Sequence, residues 1–555
     1  MTRSPASSLD QNDMIFHYPG KYNRSFWGYF NVDATLLFVL AILPLLLIFV
    51  GLVVLKQSGT LMGILGWVLT VIVAVLFFQT SLSIALSASW AGVLSSFGIS
   101  LMVLITILQV TMMDVTGAIT RITAYIRSIA AERYEQIMIL NVGFGSFLVS
   151  IGATPVTMLP PIMLALGFSP VAAIALPCLG YDPLTSFSLL AVPITIPAAA
   201  FGFDAKVLGC TVALFLPVIS TGLALGMLWV ADGFEGIKKG FSLALVAGLT
   251  LGFSAILFVN ILPVSAIGLV GVFSGLVTIA ALFLMRVFRG RPADAAPALV
   301  SVDTGTNAMP LWKAAFPWIL LVTFAIIISI PVIQAGLYSL LGPVQKITVV
   351  ADKVIDLKLL NQAYFWVLVS TVISAPLLVR SRTEAKGILA LWIRRAWSPT
   401  LAAMVFFAIA YVMDWSGRSV IGGSLVFAPG MDAFNMNAVI GLTLALAFGI
   451  TFPLISPMLG LLGAFISGSE ASSNVMFYGI LNKSSEVLSL DFMSVYAAHA
   501  VAGGVASGVA VAKILNAAAV IDKLGTEGEV IRKVAPVAIV LTLLIGVMLC
   551  VMLIL

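Results

Sequence analysis

The chain has 555 residues, 61% of them hydrophobic and 9% charged, where a soluble domain carries about 25% charge. With a mean hydropathy of +1.15, this composition excludes an ordinary soluble fold and predicts an all-α polytopic membrane protein. A transmembrane β-barrel is excluded because its strands read as alternating segments of about ten residues, whereas these apolar runs are continuous. The net charge of +5 sits in short loops between apolar runs, which assigns Lys and Arg to topology and to the headgroups of a lipid bilayer, not to nucleic acid. Cys178, Cys210 and Cys550 fall in or beside apolar segments with neither metal-ligand spacing nor a disulfide framework, so no metal and no cofactor is expected.

In chain order, residues 1–33 are polar and mixed in charge, with Lys21 and Arg24, and lack the short apolar core and small-residue cleavage site of a signal peptide. Spans are predicted over Ala34–Leu55, Thr60–Phe78, Phe97–Thr116, Val207–Val230, Phe241–Val259, Ile267–Met285, Ala314–Ile330, Phe365–Leu378 and Pro536–Leu555. Weaker candidates are Val171–Val192, Leu401–Met413, Val439–Leu454, Met458–Ile466 and Ser494–Val520. The basic clusters at Arg121–Arg133, Lys238/Lys239, Arg286–Arg291, Arg380–Arg395 and Lys523–Lys533 are predicted cytoplasmic by the positive-inside rule. Counting back from Arg121 through three spans places residues 1–33 outside the cytoplasm and Lys56 inside.

Three apolar segments between Arg133 and Lys238 are one too many for that arrangement. The expected repair is a segment that enters and returns on one side, "GFGSFLVSIGATPVTMLPPIMLALGF", broken in its middle by Gly152, Pro155, Pro160 and Pro161. The device recurs in "LISPMLGLLGAFISGSEASSNVMFYGIL", where no charge occurs from Ala433 until Glu470. Each break is followed by a Gly/Ala/Ser-rich segment. Interrupted segments at corresponding places in two halves point to a transporter binding site, and the expectation is about 12–14 transmembrane segments in two halves, each with a broken or re-entrant hairpin. The expected divisions are a first membrane half over 34–286, a polar Pro/Ala-rich cytoplasmic linker over 287–312 and a second half over 313–555.

An ionisable residue at membrane depth costs at least about 2.5–3.5 kcal/mol and is a functional hypothesis by default. Glu470 and Asp182, one at each break, are candidate proton or ion carriers, with a structural carboxylate or helix cap as the alternative. The polar groups around them, Ser467, Ser469, Ser472, Ser473 and Asn474 in the second half and Thr154, Tyr181, Thr185 and Ser186 in the first, can donate to a substrate carboxylate or accept from its hydroxyl. Lys513 either pairs with an anion or snorkels to the cytoplasmic surface, and His499 is either a second polar partner or a structural histidine. Asp414 and Arg418 have the i,i+4 spacing of a local ion pair, with anion recruitment at the outer mouth as the alternative, and Gly503–Gly504 reads as close helix packing.

The stretches "NVGFGSFLVSIGATP", "LALGFSPVAAIALPCLGY", "AVPI", "YVMDWSGRS" and "LGAFISGSEASSN" resemble the L-lactate permease family, from about Ala34 to the C-terminus. Ser467, Gly468, Ser469, Ser472, Ser473 and Asn474 fall on the family pattern "TGSDTSSN", with Glu470 in place of its aspartate and Ser467 in place of its threonine. The chain departs from the family at "VSIGATPV", "YDPLTSFS" and "AVAGGVASG". The resemblance implies two inverted-like halves with re-entrant hairpins, and a permease that takes up L-lactate, D-lactate or glycolate with protons across the bacterial inner membrane. A symporter of another small organic anion, such as a sulfonate or dicarboxylate, with protons or sodium, stays open, as does a passive anion channel. No Walker A, HExxH or GxSxG motif occurs, so the chain is not expected to be an ATP-driven pump or an enzyme.

Overall fold

The computed structural model describes residues 34–554 apart from 54, 56, 129–131, 153, 154, 182, 289–308, 329, 520, 522 and 524. The polar segment 1–33 and the centre of the expected linker therefore lie outside the described residues. Among those described, nine helical stretches are long and apolar enough to cross a bilayer, joined by shorter apolar helices such as Pro170–Leu179 and Ala363–Leu378. The protein is an all-α polytopic membrane protein.

Helices α1 (Ala34–Val53) and α2 (Gly59–Phe77) match the first two predicted spans. The next crossing was longer than expected. It combines α3 (Leu82–Ser95) with α4 (Phe97–Val115), and Ser96 between them stays helical, its N–H bonding the Gly92 carbonyl at 2.9 Å. The serines of "SLSIALSASW" diluted the apolar signal of α3, and burial explains them: the Ser89 hydroxyl donates back to the Ala85 carbonyl and accepts from Trp67 Nε1.

The sequence had placed the start of the later span at Leu401, but α16 runs from Arg382 to Trp415 and lies antiparallel along α3–α4. Arg395 pairs with Asp114 at 3.2 Å near one end, and the Gly417 N–H donates to Thr80 Oγ1 at 3.0 Å at the other. Between them Gly92 admits the α16 backbone, since a Cβ there would lie 2.6 Å from the Phe407 carbonyl oxygen.

Helix α5 (Ala118–Ser128) follows, and α6 (Arg133–Ile137) continues through a π-helical turn (Met138–Phe144) into α7 (Gly145–Ser150). The chain turns at Gly152, whose φ of +87° suits glycine. Pro155 opens α8 (Pro155–Ala165), and Pro160 and Pro161 lie inside that helix. The break thus falls at the glycine, not at the proline pair. After helix α9 (Pro170–Leu179) comes a 3-10 turn (Thr185–Phe187), and α10 (Ser188–Phe201) begins with Leu189, Leu190 and Ala191 all left-handed. Each such residue costs about 1–2 kcal/mol. Packing holds the turn in place: the Leu190 carbonyl oxygen sits where a Cβ on Gly268 would come within 2.8 Å.

Helix α11 (Ala205–Ile261) folds back at Asp232–Gly233 into two antiparallel arms, the two spans predicted on either side of Lys238. Lys206 Nζ donates to the Asn260 and Leu262 carbonyls at the open end, and Arg133 pairs with Asp232 at 2.9 Å at the fold. Helices α12 (Val270–Phe288), α13 (Leu311–Ile328), α14 (Pro331–Leu341) and α15 (Ala363–Leu378) follow.

Two β-hairpins, which the sequence did not reveal, sit at the end of the bundle remote from Arg395: β1 (Lys346–Val350) with β2 (Lys353–Asp356), and β3 (Arg418–Ile421) with β4 (Ser424–Phe427). Gly422 and Gly423 both have positive φ, as a two-residue hairpin turn requires. The Leu425 N–H donates to Asp352 Oδ1 at 2.8 Å and ties the hairpins together. That bond, helped by Lys353, holds the Asp352 carboxyl below the usual carboxylate range.

The chain continues with α17 (Met436–Phe448), α18 (Phe452–Ser467), α19 (Glu470–Leu488), α20 (Phe492–Val505), α21 (Val511–Ala519) and α22 (Glu527–Ile554). The expected continuous segment Ser494–Val520 is interrupted by a 3-10 turn at Ala506–Gly508, in register with its run of small residues.

The arms of α11 meet where a Cβ on Gly252 would lie 2.4 Å from Pro217 Cα and N. Gly252→Ala is expected to destabilise the fold by about 1–3 kcal/mol through overpacking, read as a lower unfolding temperature in detergent. Because the folded pKa of Asp352 is depressed, its tether is present above the ordinary carboxylate pKa and is lost only as pH falls through the lower folded value. Asp352→Ala is therefore expected to accelerate amide exchange in residues 418–427 at neutral pH, and unchanged exchange would show that the hairpins are held by other contacts.

Candidate functional site

The second-half break is compact. Gly468, with φ +70°, ends α18, and Ser469 caps α19 by accepting the Ser472 N–H at 3.3 Å. Glu470 is the first residue of α19, so its carboxylate sits at the positive end of that helix. It is 5% exposed, and the Ser186 hydroxyl from the unwound stretch of the first half donates to its Oε1.

Two glycines make this approach possible. A Cβ on Gly503 would lie 3.2 Å from Glu470 Cγ, and one on Gly504 would lie 2.6 Å from Thr185 Cβ. Helix α20 thus carries the hairpin carboxylate on one glycine and the first-half turn on the next. This is the close packing expected of "AGGV", with a chemical consequence the sequence did not state.

Further along α19, Asn474 Nδ2 donates to the Pro193 carbonyl at 3.0 Å, which ties the hairpin to α10 as the Ser186 bond ties it to the preceding 3-10 turn. The Tyr496 hydroxyl donates to the Asn474 carbonyl at 2.7 Å. Ser473 Oγ lies 3.2 Å from His499 Nε2 and 3.4 Å from the Gly460 carbonyl, so His499 braces the hairpin arm from α20. Ser467 Oγ bonds the Gly463 and Ser469 carbonyls and receives the Ser469 N–H, which shapes the turn. Thr185, Ser186, Ser473 and Asn474 are fully buried and Ser472 nearly so, and the site is closed over in this structure. Thr185 Oγ1 and Asn474 Oδ1 are buried without a hydrogen-bond partner among the described residues, which leaves a hydroxyl and an acceptor for a ligand.

Lys513 and Tyr181 form a separate cluster. The Lys513 ammonium donates to Ser507 Oγ at 2.6 Å and lies 3.7 Å above the Tyr181 ring, a cation–π arrangement across the break at Ala506–Gly508. The candidates Thr154 and Asp182 lie outside the described residues. The structure therefore brings together Thr185, Ser186, Ser469, Glu470, Ser472 and Asn474, sets Ser473 with His499 behind them, and places Tyr181 with Lys513 beyond. Sequence reasoning missed Tyr496 and the Pro193 carbonyl, because a buried tyrosine and a backbone acceptor carry no motif. It also missed a cavity of about 520 Å³ lined by Phe201, Asp414, Arg418, Asn437, Tyr478 and Lys483, for which the charges of "DWSGRS" were the one signal.

Interrupted helices closing over a buried carboxylate, inside a bundle of spanning helices, are the arrangement of a membrane permease rather than an enzyme. A model of the L-lactate permease family matches residues 37–555, and the chain belongs to that family. It is 26% identical to an L-lactate permease of Streptococcus iniae over 82% of this chain and 92% of that one. It is 23% identical to the glycolate permease GlcA of Escherichia coli K12 and 25% identical to the L-lactate permease of the same strain, each over 92% of this chain and 94% of the relative. No solved structure matches the chain.

A hydrogen bond to a charged group contributes about 1.5–3 kcal/mol. Removing the Ser186 hydroxyl in Ser186→Ala is expected to lower the transport rate in proteoliposomes at least about tenfold, the equivalent of 1.4 kcal/mol, at an unchanged amount of reconstituted protein. A rate within twofold of wild type would mean that transport does not depend on the Ser186–Glu470 bond.

Proposed function

We propose that the chain takes up a small 2-hydroxy monocarboxylate, L-lactate, D-lactate or glycolate, in symport with protons across the bacterial inner membrane. The observation that carries this reading is the Ser186–Glu470 bond, which places one buried carboxylate at a helix N-terminus between two interrupted segments. The names of the relatives support the substrate class. On this reading residues 34–286 and 313–555 act as two halves that meet at the breaks.

The coupling follows from charge. The N-terminus of α19 favours an anion, but two carboxylates side by side in a site without bulk water cannot both stay ionised. Substrate carboxylate can settle beside the Ser469 cap only when Glu470 carries a proton. Protonated Glu470 also becomes a donor, while Asn474 Oδ1 can accept the substrate hydroxyl. Release of both on the far side returns Glu470 to its bond with Ser186.

In Glu470→Gln the group stays neutral and cannot cycle a proton. Uphill L-lactate accumulation driven by a pH gradient is expected to vanish, while exchange of labelled for unlabelled L-lactate continues. Undiminished accumulation by this variant would refute the proton role. Accumulation that follows an imposed sodium gradient instead, or competition by sulfonates or dicarboxylates in place of glycolate, would redirect the ion or the substrate.

A further inference from the structure

The cavity of about 520 Å³ lies at the end of α16 opposite the basic cluster at Arg380–Arg395, the end the charge rule makes extracytoplasmic. Helix α16 has 34 residues, so the two ends are about 50 Å apart at 1.5 Å per residue. The volume lies in the range of small-molecule sites.

Its walls carry two cations. Arg418 lies 3.6 Å from Asp414, and its Nε is buried without a hydrogen-bond partner among the described residues. Its guanidinium carbon sits 4.8 Å over the Phe427 ring, which fixes its plane. Lys483 pairs with the largely exposed Glu486 at 3.1 Å. Asn437 is 4% exposed, and its Oδ1 is a buried acceptor without a hydrogen-bond partner among the described residues.

A wall of the cavity faces the hairpin. Phe201, at the end of α10, stacks on Tyr478 of α19 with centroids 3.7 Å apart and planes 1° from parallel. Tyr478 is eight residues beyond Glu470 on the same helix, about 12 Å at 1.5 Å per residue. The aromatic pair joins α10 to α19, the two elements that the Asn474–Pro193 bond also joins.

We propose that this cavity is a second, extracytoplasmic binding site for the same small 2-hydroxy carboxylate, separated from Glu470 by the Phe201–Tyr478 stack. Arg418 supplies the planar fork that matches a carboxylate, Lys483 adds a second positive charge, and Asn437 accepts the hydroxyl. Asp414 and Glu486 keep the site near neutral overall, so it collects an anion without trapping it. The identity of the ligand rests on the function proposed above; the existence of the site rests on the cavity.

The test uses the full chain in right-side-out vesicles with Thr443→Cys, a cavity-lining position, labelled by a membrane-impermeant maleimide. The wild-type chain, with its own Cys210 and Cys550, sets the background. Saturating external L-lactate is expected to slow labelling of T443C at least threefold. That protection is expected to survive in T443C/E470Q and to be lost in T443C/R418Q and weakened in T443C/K483Q. No protection by L-lactate or glycolate, protection that persists in both R418Q and K483Q, or protection abolished by E470Q would overturn the proposal. Failure to label both T443C and A438C would overturn the outward opening itself. Failure of the proton reading would instead appear in uptake by E470Q, with the labelling protection intact.

Discussion

The contact between Ser186 and Glu470 is the constraint on which the interior depends. A carboxylate at membrane depth costs at least about 2.5–3.5 kcal/mol, and leaving it without donors would add the desolvation of an unsatisfied group. The protein meets that cost by bringing a hydroxyl from an unwound stretch some 280 residues away in sequence. Everything that permits the approach is local and specific. Gly503 and Gly504 clear the space, three left-handed residues turn the chain at the start of α10, and Gly468 turns the hairpin so that Glu470 opens a helix.

Those same features explain why the site sits where helices end. A continuous helix consumes its own N–H groups, whereas a broken one leaves donors at the new N-terminus. At Ser469 the cap takes one of them and leaves the positive end of α19 facing the carboxylate. Strain in the Leu189–Ala191 turn is offset by tight packing against Gly268, so the first-half element is held rather than loose. His499 and Tyr496 brace the hairpin from α20, and through Asn474 they couple α20 to α10. A movement of either interrupted segment would therefore be felt by the other.

Charge is distributed with the same economy. Arg133–Asp232 and Arg395–Asp114 lie on the basic side, where they are partly solvated and contribute little to stability. Asp414–Arg418 and Lys483–Glu486 gather at the opposite end around the cavity, where the Leu425–Asp352 bond ties the two β-hairpins to each other. Around the hairpin between them the described polar groups are hydroxyls, amides, His499 and Glu470 rather than a row of charges.

The sequence alone determined that the chain is a helical membrane protein, where most of its spans lie and that it is interrupted near Gly152 and Gly468, because apolar runs and helix-breaking residues act locally. It marked Glu470 and its serines for the same reason: one charge in an apolar stretch has few explanations. It counted Pro160 and Pro161 with Gly152 among the breakers, whereas both prolines lie inside α8, and it lost α3 among its serines, because back-bonded hydroxyls look polar in sequence and apolar in a fold. Only the tertiary structure decided that Ser186 is the partner of Glu470, that Lys513 belongs with Tyr181 and Ser507, and that Phe201 meets Tyr478 beside the outer cavity. Each of these joins segments far apart in the chain, and a pairing of that kind is fixed by packing and glycine clearance, which leave no period or spacing in the sequence to read.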